Sequence, residues 1–205
     1  VAESVSRVVE RADEFFMQRG PLHQTLRRLT RDLDEAAIPY ALLGAIALGS
    51  HGLSRMTADI DILLTPQGLA AFRARYEGRG YIPAFSGAAK SFQATDTGVR
   101  IEVLTTGEYP GDGLPKPVRF PDPQEAYTEI DGTRIVRLER LIELKLASGM
   151  TAAHRRRDLA DVLDLIRAVK LPQDLAGQLD ASVRELYLQL WRDAQARDAL
   201  QEDPL

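Results

Sequence analysis

Asp59 and Asp61 stand two apart in the run Asp59-Ile60-Asp61-Ile62-Leu63-Leu64. An apolar run with β-branched residues reads as a strand. Side chains two apart on a strand share a face. At about 3.3 Å rise per residue their bases lie roughly 7 Å apart, so their oxygens can converge on one cation. Two like charges on a mostly buried strand are costly unless something positive joins them, and a divalent metal is the simplest partner. Glu102 lies in Val99-Arg100-Ile101-Glu102-Val103-Leu104 and by alternation faces away from Ile101 and Val103. If the two strands are neighbours, Glu102 joins the pair. An oxygen-only donor set favours Mg²⁺ or Mn²⁺ over zinc. Three carboxylates around two such ions, roughly 3.5–4 Å apart, suit phosphoryl transfer.

A second element precedes the acidic strand. Leu42-Leu43-Gly44-Ala45 reads as a strand ending in glycine that opens a helix, which lets backbone N–H groups approach a phosphate. Arg55 stands between this turn and Asp59 and divides between a phosphate contact and a surface ion pair. His51, with no second histidine nearby, reads as a structural residue at a helix end. Taken alone, Glu102 reads first as a solvent-facing residue of a half-exposed strand.

The elements that must position these groups follow from periodicity. Helical spacing covers Glu3–Arg19, stopped by Gly20-Pro21, then about Leu22–Ala37 with Leu26, Leu29 and Leu33 on one face. Strands are expected at Ile38–Leu43 and Asp59–Leu64, with a helix at Gln67–Tyr76 behind Pro66. Gly80–Pro83, Lys90–Thr95 and Val99–Leu104 are strand-like, and Asp96-Thr97-Gly98 signals a hairpin between the last two. Gly107–Pro123 holds five prolines and three glycines and reads as an irregular loop. Thr133–Val136 is a short strand. The remainder is helical: Leu138–Ser148 ended by Gly149, His154–Val169, and Leu175 to about Leu200, with Tyr187 and Trp191 packing one turn apart. The expectation is an α+β fold: a small mixed β-sheet core with helices on one side over residues 1–137, and a C-terminal helical bundle over 138–205.

The bulk numbers exclude several classes. A formal net charge of −4 gives no global pull toward nucleic acid or an anionic membrane. The absence of cysteine removes disulfides and thiolate metal sites. No apolar stretch approaches the roughly 20 residues of a membrane span, and the charged N-terminal segment does not read as a signal peptide, so a cytoplasmic location is expected. His154-Arg155-Arg156-Arg157 reads as a solvated helix start, with RNA phosphates as the lesser alternative.

Leu43-Gly44-Ala45, a thirteen-residue spacer and Asp59-Ile60-Asp61-Ile62 together resemble the signature of the DNA polymerase β-type nucleotidyltransferase superfamily. The finer pattern of Gly44, Ala47, His51-Gly52, Arg55, Thr57, Asp59 and Asp61 is similar to the bacterial branch that includes AbiEii-type toxins, as is Leu138–Lys145 followed by Arg157-Asp158-Leu159-Ala160-Asp161. The resemblance spans roughly Ile38–Ile166. It implies transfer of a nucleoside monophosphate from an NTP to an acceptor hydroxyl, with Mg²⁺ or Mn²⁺ held by Asp59, Asp61 and Glu102, and Glu102 also a base. It implies nucleotide contacts at Gly44, Ala45, Arg55, Thr57 and Lys145, with RNA or protein as acceptor and an antitoxin-like protein as partner. Ala45 stands where this family has Gly or Ser, and Glu102 where its third acid is commonly Asp. Ala45 also motivates an alternative reading: a nucleotide- or partner-binding protein of the same fold with weak or no activity. A small-molecule enzyme of the antibiotic-modifying kind is a third reading, for which Glu108 and Asp112 are the available acidic residues.

Overall fold

The computed structural model describes residues 20–201, so the expected helix at Glu3–Arg19 lies outside the described residues. Helix α1 (Pro21–Glu35) begins with proline in its first turn, where the missing N–H costs nothing, and buries Leu29 and Leu33. It ends in a left-handed turn. Ala37 takes φ +53°, its N–H bonds Asp34 O at 3.0 Å, and the Ile38 N–H bonds Leu33 O at 2.9 Å. The chain then enters β1 (Tyr40–Leu42), α2 (Gly44–Ser50) and β2 (Asp59–Leu64). Helix α3 (Pro66–Tyr76) is capped by Thr65, whose Oγ1 accepts the Gly68 N–H at 2.9 Å. Strands β3 (Tyr81–Pro83), β4 (Ser91–Ala94) and β5 (Arg100–Thr105) follow.

After an irregular loop come a single turn, α4 (Pro123–Ala126), and the hairpin β6 (Tyr127–Ile130) and β7 (Thr133–Val136). Three long helices follow among the described residues: α5 (Leu138–Thr151), α6 (Arg156–Val169) and α7 (Ala181–Gln201). Short 3₁₀ turns at Ala153–Arg155 and Gln173–Gln178 separate them.

The seven strands form one mixed sheet in the order β3-β4-β5-β2-β1-β7-β6. Strand β2 is central. It runs parallel to β5 and antiparallel to β1, while β1 runs parallel to β7. Ile60, Ile62 and Leu64 fill the core on one face of β2, and Ile101 and Val103 do so on β5. The opposite faces carry Asp59 and Asp61 on β2 and Arg100, Glu102 and Leu104 on β5. On the helical side, Leu141, Ile142, Val162, Leu165, Val183 and Tyr187 are buried together. Trp191 donates its indole N–H to Leu171 O at 2.9 Å.

Four expectations need correction. Gly149 does not end its helix; α5 runs on to Thr151. A Cβ at Gly149 would meet Leu159 Cδ2 at 2.5 Å, so the glycine serves the close packing of α5 on α6. His154 belongs to a 3₁₀ turn, with α6 starting at Arg156. Leu175 likewise lies in a 3₁₀ turn, and α7 starts at Ala181. The sheet also gains β6. That segment, Tyr127-Thr128-Glu129-Ile130, has no clean alternation, and its pairing with β7 supplies what the pattern lacks.

Candidate active site

The parallel pairing of β2 with β5 is in register. Asp59 lies opposite Arg100, and Asp61 lies opposite Glu102. Directly paired residues share a face, so the three acids of the sequence reading stand on one side of the sheet. Leu43 continues the β1–β2 ladder, its N–H bonding Asp61 O at 2.9 Å, which brings the next residue, Gly44, against the Asp61 side chain. Gly44 takes φ +61°, and a Cβ there would sit 1.8 Å from Asp61 Oδ2. Only glycine allows the turn and the carboxylate to occupy these positions together.

These groups open on a cleft of about 500 Å³. Its acidic wall is Asp59, Asp61 and Glu102. Facing it are Lys145 and Ser148 of α5, Arg155, and Asp158 of α6, and Pro110, Gly111 and Phe120 of the loop complete the rim. Burial pushes the Asp61 carboxyl above its ordinary value. Lys145 pulls it back, Asp59 and Glu102 push it further up, and Arg155 pulls it down. The loop is seated on α5. A Cβ at Gly111 (φ +78°) would fall 2.8 Å from Ser148 O, and Lys116 donates to Pro110 O at 2.6 Å while also pairing with Asp112.

Of the residues expected to contact nucleotide, Gly44, Arg55, Thr57 and Lys145 line the cleft. Ala45 is not among its lining residues; it is buried in the first turn of α2. Thr57 Oγ1 accepts the Asp59 N–H at 3.3 Å and donates to Asp59 O at 3.1 Å, which fixes the entry to β2. Lys145 is buried rather than solvated. Its Nζ donates to Asp161 Oδ2 at 2.7 Å and to Asp158 Oδ1 at 3.0 Å, and Ser148 Oγ donates to Asp158 Oδ2 at 2.6 Å. Arg55 reaches the same Asp161 at 3.5 Å, and its Nε is buried without a hydrogen-bond partner. Arg55 thus faces a buried acid rather than a surface one, and it lines the cleft as well. His51 bonds Val136 O at 2.7 Å through Nε2, a structural tie. Glu108 and Asp112 are paired with Lys90 and Lys116.

Asp158, Ser148, Arg155 and Phe120 are cleft residues that the sequence reading did not place there. A polar stripe of Lys145, Ser148, Asp158 and Asp161 interrupting two apolar helix faces was the available signal. A second hollow, of about 420 Å³, is lined by Asp34, Tyr40, Tyr127 and Arg134. Its charges satisfy one another, with Arg134 and Asp34 at 2.9 Å. The chemistry favours the first cleft.

A hard-oxygen donor set of Asp59, Asp61 and Glu102 suits Mg²⁺ or Mn²⁺. A cation would also offset the burial and like-charge cost carried by Asp61. Yet among the described residues no three His, Asp or Glu side chains are gathered closely enough to hold an ion. The expected trio is a shared face, not a closed cluster, and one oxygen of Glu102 is turned to Ser91. Among the described residues no helix is long and apolar enough to cross a membrane.

No family model and no curated protein matches the chain. Among solved structures it is similar to a protein described as a nucleotidyltransferase from H. pylori, at 20% identity and TM-score 0.46, covering 89% of this chain and 96% of that one. It is also similar to ANT(2")-Ia in complex with adenylyl-2"-tobramycin, at 15% identity and TM-score 0.44, covering 83% and 96%. A protein described as a nucleotidyltransferase from Thermotoga maritima aligns at 16% identity and TM-score 0.44, covering 69% and 94%. Identities and scores of this size assign no activity.

Proposed function

We propose that this protein is a metal-dependent nucleotidyltransferase that moves a nucleoside monophosphate from an NTP to an acceptor hydroxyl. The reading rests on one observation: the in-register pairing of Asp61 with Glu102, which joins Asp59 to them on one cleft face beside the Gly44 turn. Asp59 and Asp61 would hold the divalent cations, with Glu102 closing on them from the open face it shares with them, and the cations would neutralise the triphosphate and polarise the reacting oxygens. Gly44 keeps the space beside Asp61 free of a side chain. Arg55, Thr57 and Lys145 would orient the phosphates from the opposite side, with Arg155 at the mouth. The acceptor oxygen attacks the α-phosphorus, the bond to the β-phosphate oxygen breaks, and pyrophosphate leaves. Glu102 takes the hydroxyl proton. Most of the acceleration comes from positioning and charge complementarity.

RNA is the acceptor this reading favours, because Arg155 opens on the cleft and His154, Arg156 and Arg157 are exposed beside it. An antitoxin-like partner rests on the sequence resemblance of Leu138–Lys145 and Arg157–Asp161. A second reading, nucleotide binding without transfer, is favoured by Ala45, which is buried and contributes no hydroxyl to the cleft.

Incubation with each α-labelled NTP, Mg²⁺ and total cellular RNA tests the proposal. Covalent label is expected from the unaltered protein and at least about 100-fold less from Asp59→Ala or Asp61→Ala. Equal labelling by both variants overturns it. Thermal stabilisation by Mg-NTP without any product selects the second reading.

A further inference from the structure

Glu102 differs from its partners on the acidic wall in side-chain length. Asp59 and Asp61 have two side-chain torsions, whereas Glu102 has three and sweeps a wider arc. Something must choose among its rotamers if it is to act with the other two. Ser91 lies directly opposite Glu102 in the antiparallel β4–β5 register and is 7% exposed. Its Oγ donates to Glu102 Oε1 at 2.7 Å, the usual length for a hydroxyl on a carboxylate. Arg100 Nε faces the same oxygen at 3.8 Å. Among the described residues no hydrogen bond reaches Oε2. Lys90, next to Ser91 in the chain, pairs with Glu108, and the Arg100 cation stands farther off at 3.8 Å, so the closest donor to Glu102 is a neutral hydroxyl. A neutral donor fixes the carboxylate without adding a positive charge to that of Arg100.

We infer that Ser91 is a positioning residue: by binding Oε1 it leaves Oε2 of Glu102 as the oxygen that works with Asp59 and Asp61. The inference rests on the transfer reading above. Groups that orient metal-binding side chains commonly change metal affinity or activity about 10–100-fold when removed.

The test compares Ser91→Ala, Ser91→Thr, Glu102→Gln and Asp59→Ala with the unaltered protein. Mn²⁺ binding is read by the electron-spin resonance of free Mn²⁺ in the presence of a non-hydrolysable NTP analogue, and steady-state transfer is measured alongside. Ser91→Ala is expected to keep the native circular dichroism spectrum, to weaken Mn²⁺ about tenfold, and to lower kcat at least about tenfold with KM for NTP little changed. Ser91→Thr, which keeps the hydroxyl, restores most of both. If Ser91→Ala does not fold, Ser91→Cys takes its place as a weaker donor of similar size. Unaltered Mn²⁺ affinity and kcat in Ser91→Ala, with both lost in Glu102→Gln, overturn the inference and leave the transfer reading standing. Unaltered Mn²⁺ affinity and transfer in both Asp59→Ala and Glu102→Gln overturn the transfer reading, and the inference with it.

Discussion

Gly44 and Asp61 compete for one small volume. With φ at +61° and a built Cβ only 1.8 Å from Asp61 Oδ2, any larger residue must move the turn or the acid. Left-handed backbone costs a non-glycine residue roughly 1–2 kcal/mol before that collision is counted. Gly44→Ala is therefore expected to lose at least about 1 kcal/mol in urea unfolding and to abolish nucleotide transfer. Unchanged stability would show that the turn does not rest on the Asp61 side chain. The acidic pattern, Asp-Ile-Asp, was legible because both faces of β2 advertise themselves: apolar at Ile60 and Ile62, acidic at Asp59 and Asp61. Ser91 was not legible. A lone serine in a strand carries no signal until the register places it opposite Glu102.

Helices α5 and α6 are joined by charge as well as by apolar packing. Lys145 is 7% exposed and Asp161 4%, and Asp158, Ser148 and Arg55 complete their network. Breaking a buried pair on one side strands the other charge, at a cost of about 3–5 kcal/mol. Lys145→Met should fall in that range in denaturant unfolding, and adding Asp161→Asn should recover part of the loss. Equal stability of the single variant and the unaltered protein would place Lys145 in solvent. The start of α7 depends on Asp180, whose Oδ1 accepts from the Ser182 N–H at 2.9 Å and the Ser182 hydroxyl at 2.6 Å. The hydroxyl bond first, and then the backbone bond, hold the Asp180 carboxyl below its ordinary value of 3.8. A lowered folded-state value means that the unfolded chain binds the proton more readily. The stabilisation is complete above pH 3.8 and is lost as pH falls through the lowered value. Asp180→Asn, which keeps a capping oxygen, should flatten this acid limb when Tm is followed from pH 5 to 2. An unchanged limb would move the titration elsewhere.

At the scale of the fold, the described residues build one mixed sheet whose central strands hand acids to a cleft, with helices and a proline-rich loop supplying the opposite wall. Ligand that binds only the folded state must raise Tm. At 100 times its Kd the gain is about 2.7 kcal/mol, and each kcal/mol moves a chain of this size roughly 2–4 °C. Mg-NTP is expected to give such a rise in thermal scans, EDTA to remove it, and Asp59→Ala to reduce it. Absence of any rise with all four nucleotides would deny the cleft this ligand. The hairpin at Asp96-Thr97-Gly98 and the capped start at Thr65-Pro66 were fixed locally, by turn and cap chemistry that acts over a few residues. The amino-acid order by itself determined the period of most elements, the Asp59/Asp61 pair and the face of Glu102, because alternation and helical spacing are properties of neighbouring residues. Only the tertiary structure decided that β5 lies beside β2 in register, that Lys145 is buried between two aspartates, and that Ala45 is withdrawn from the cleft. Those outcomes depend on strand pairing and helix packing between residues far apart in the chain, which no local pattern encodes.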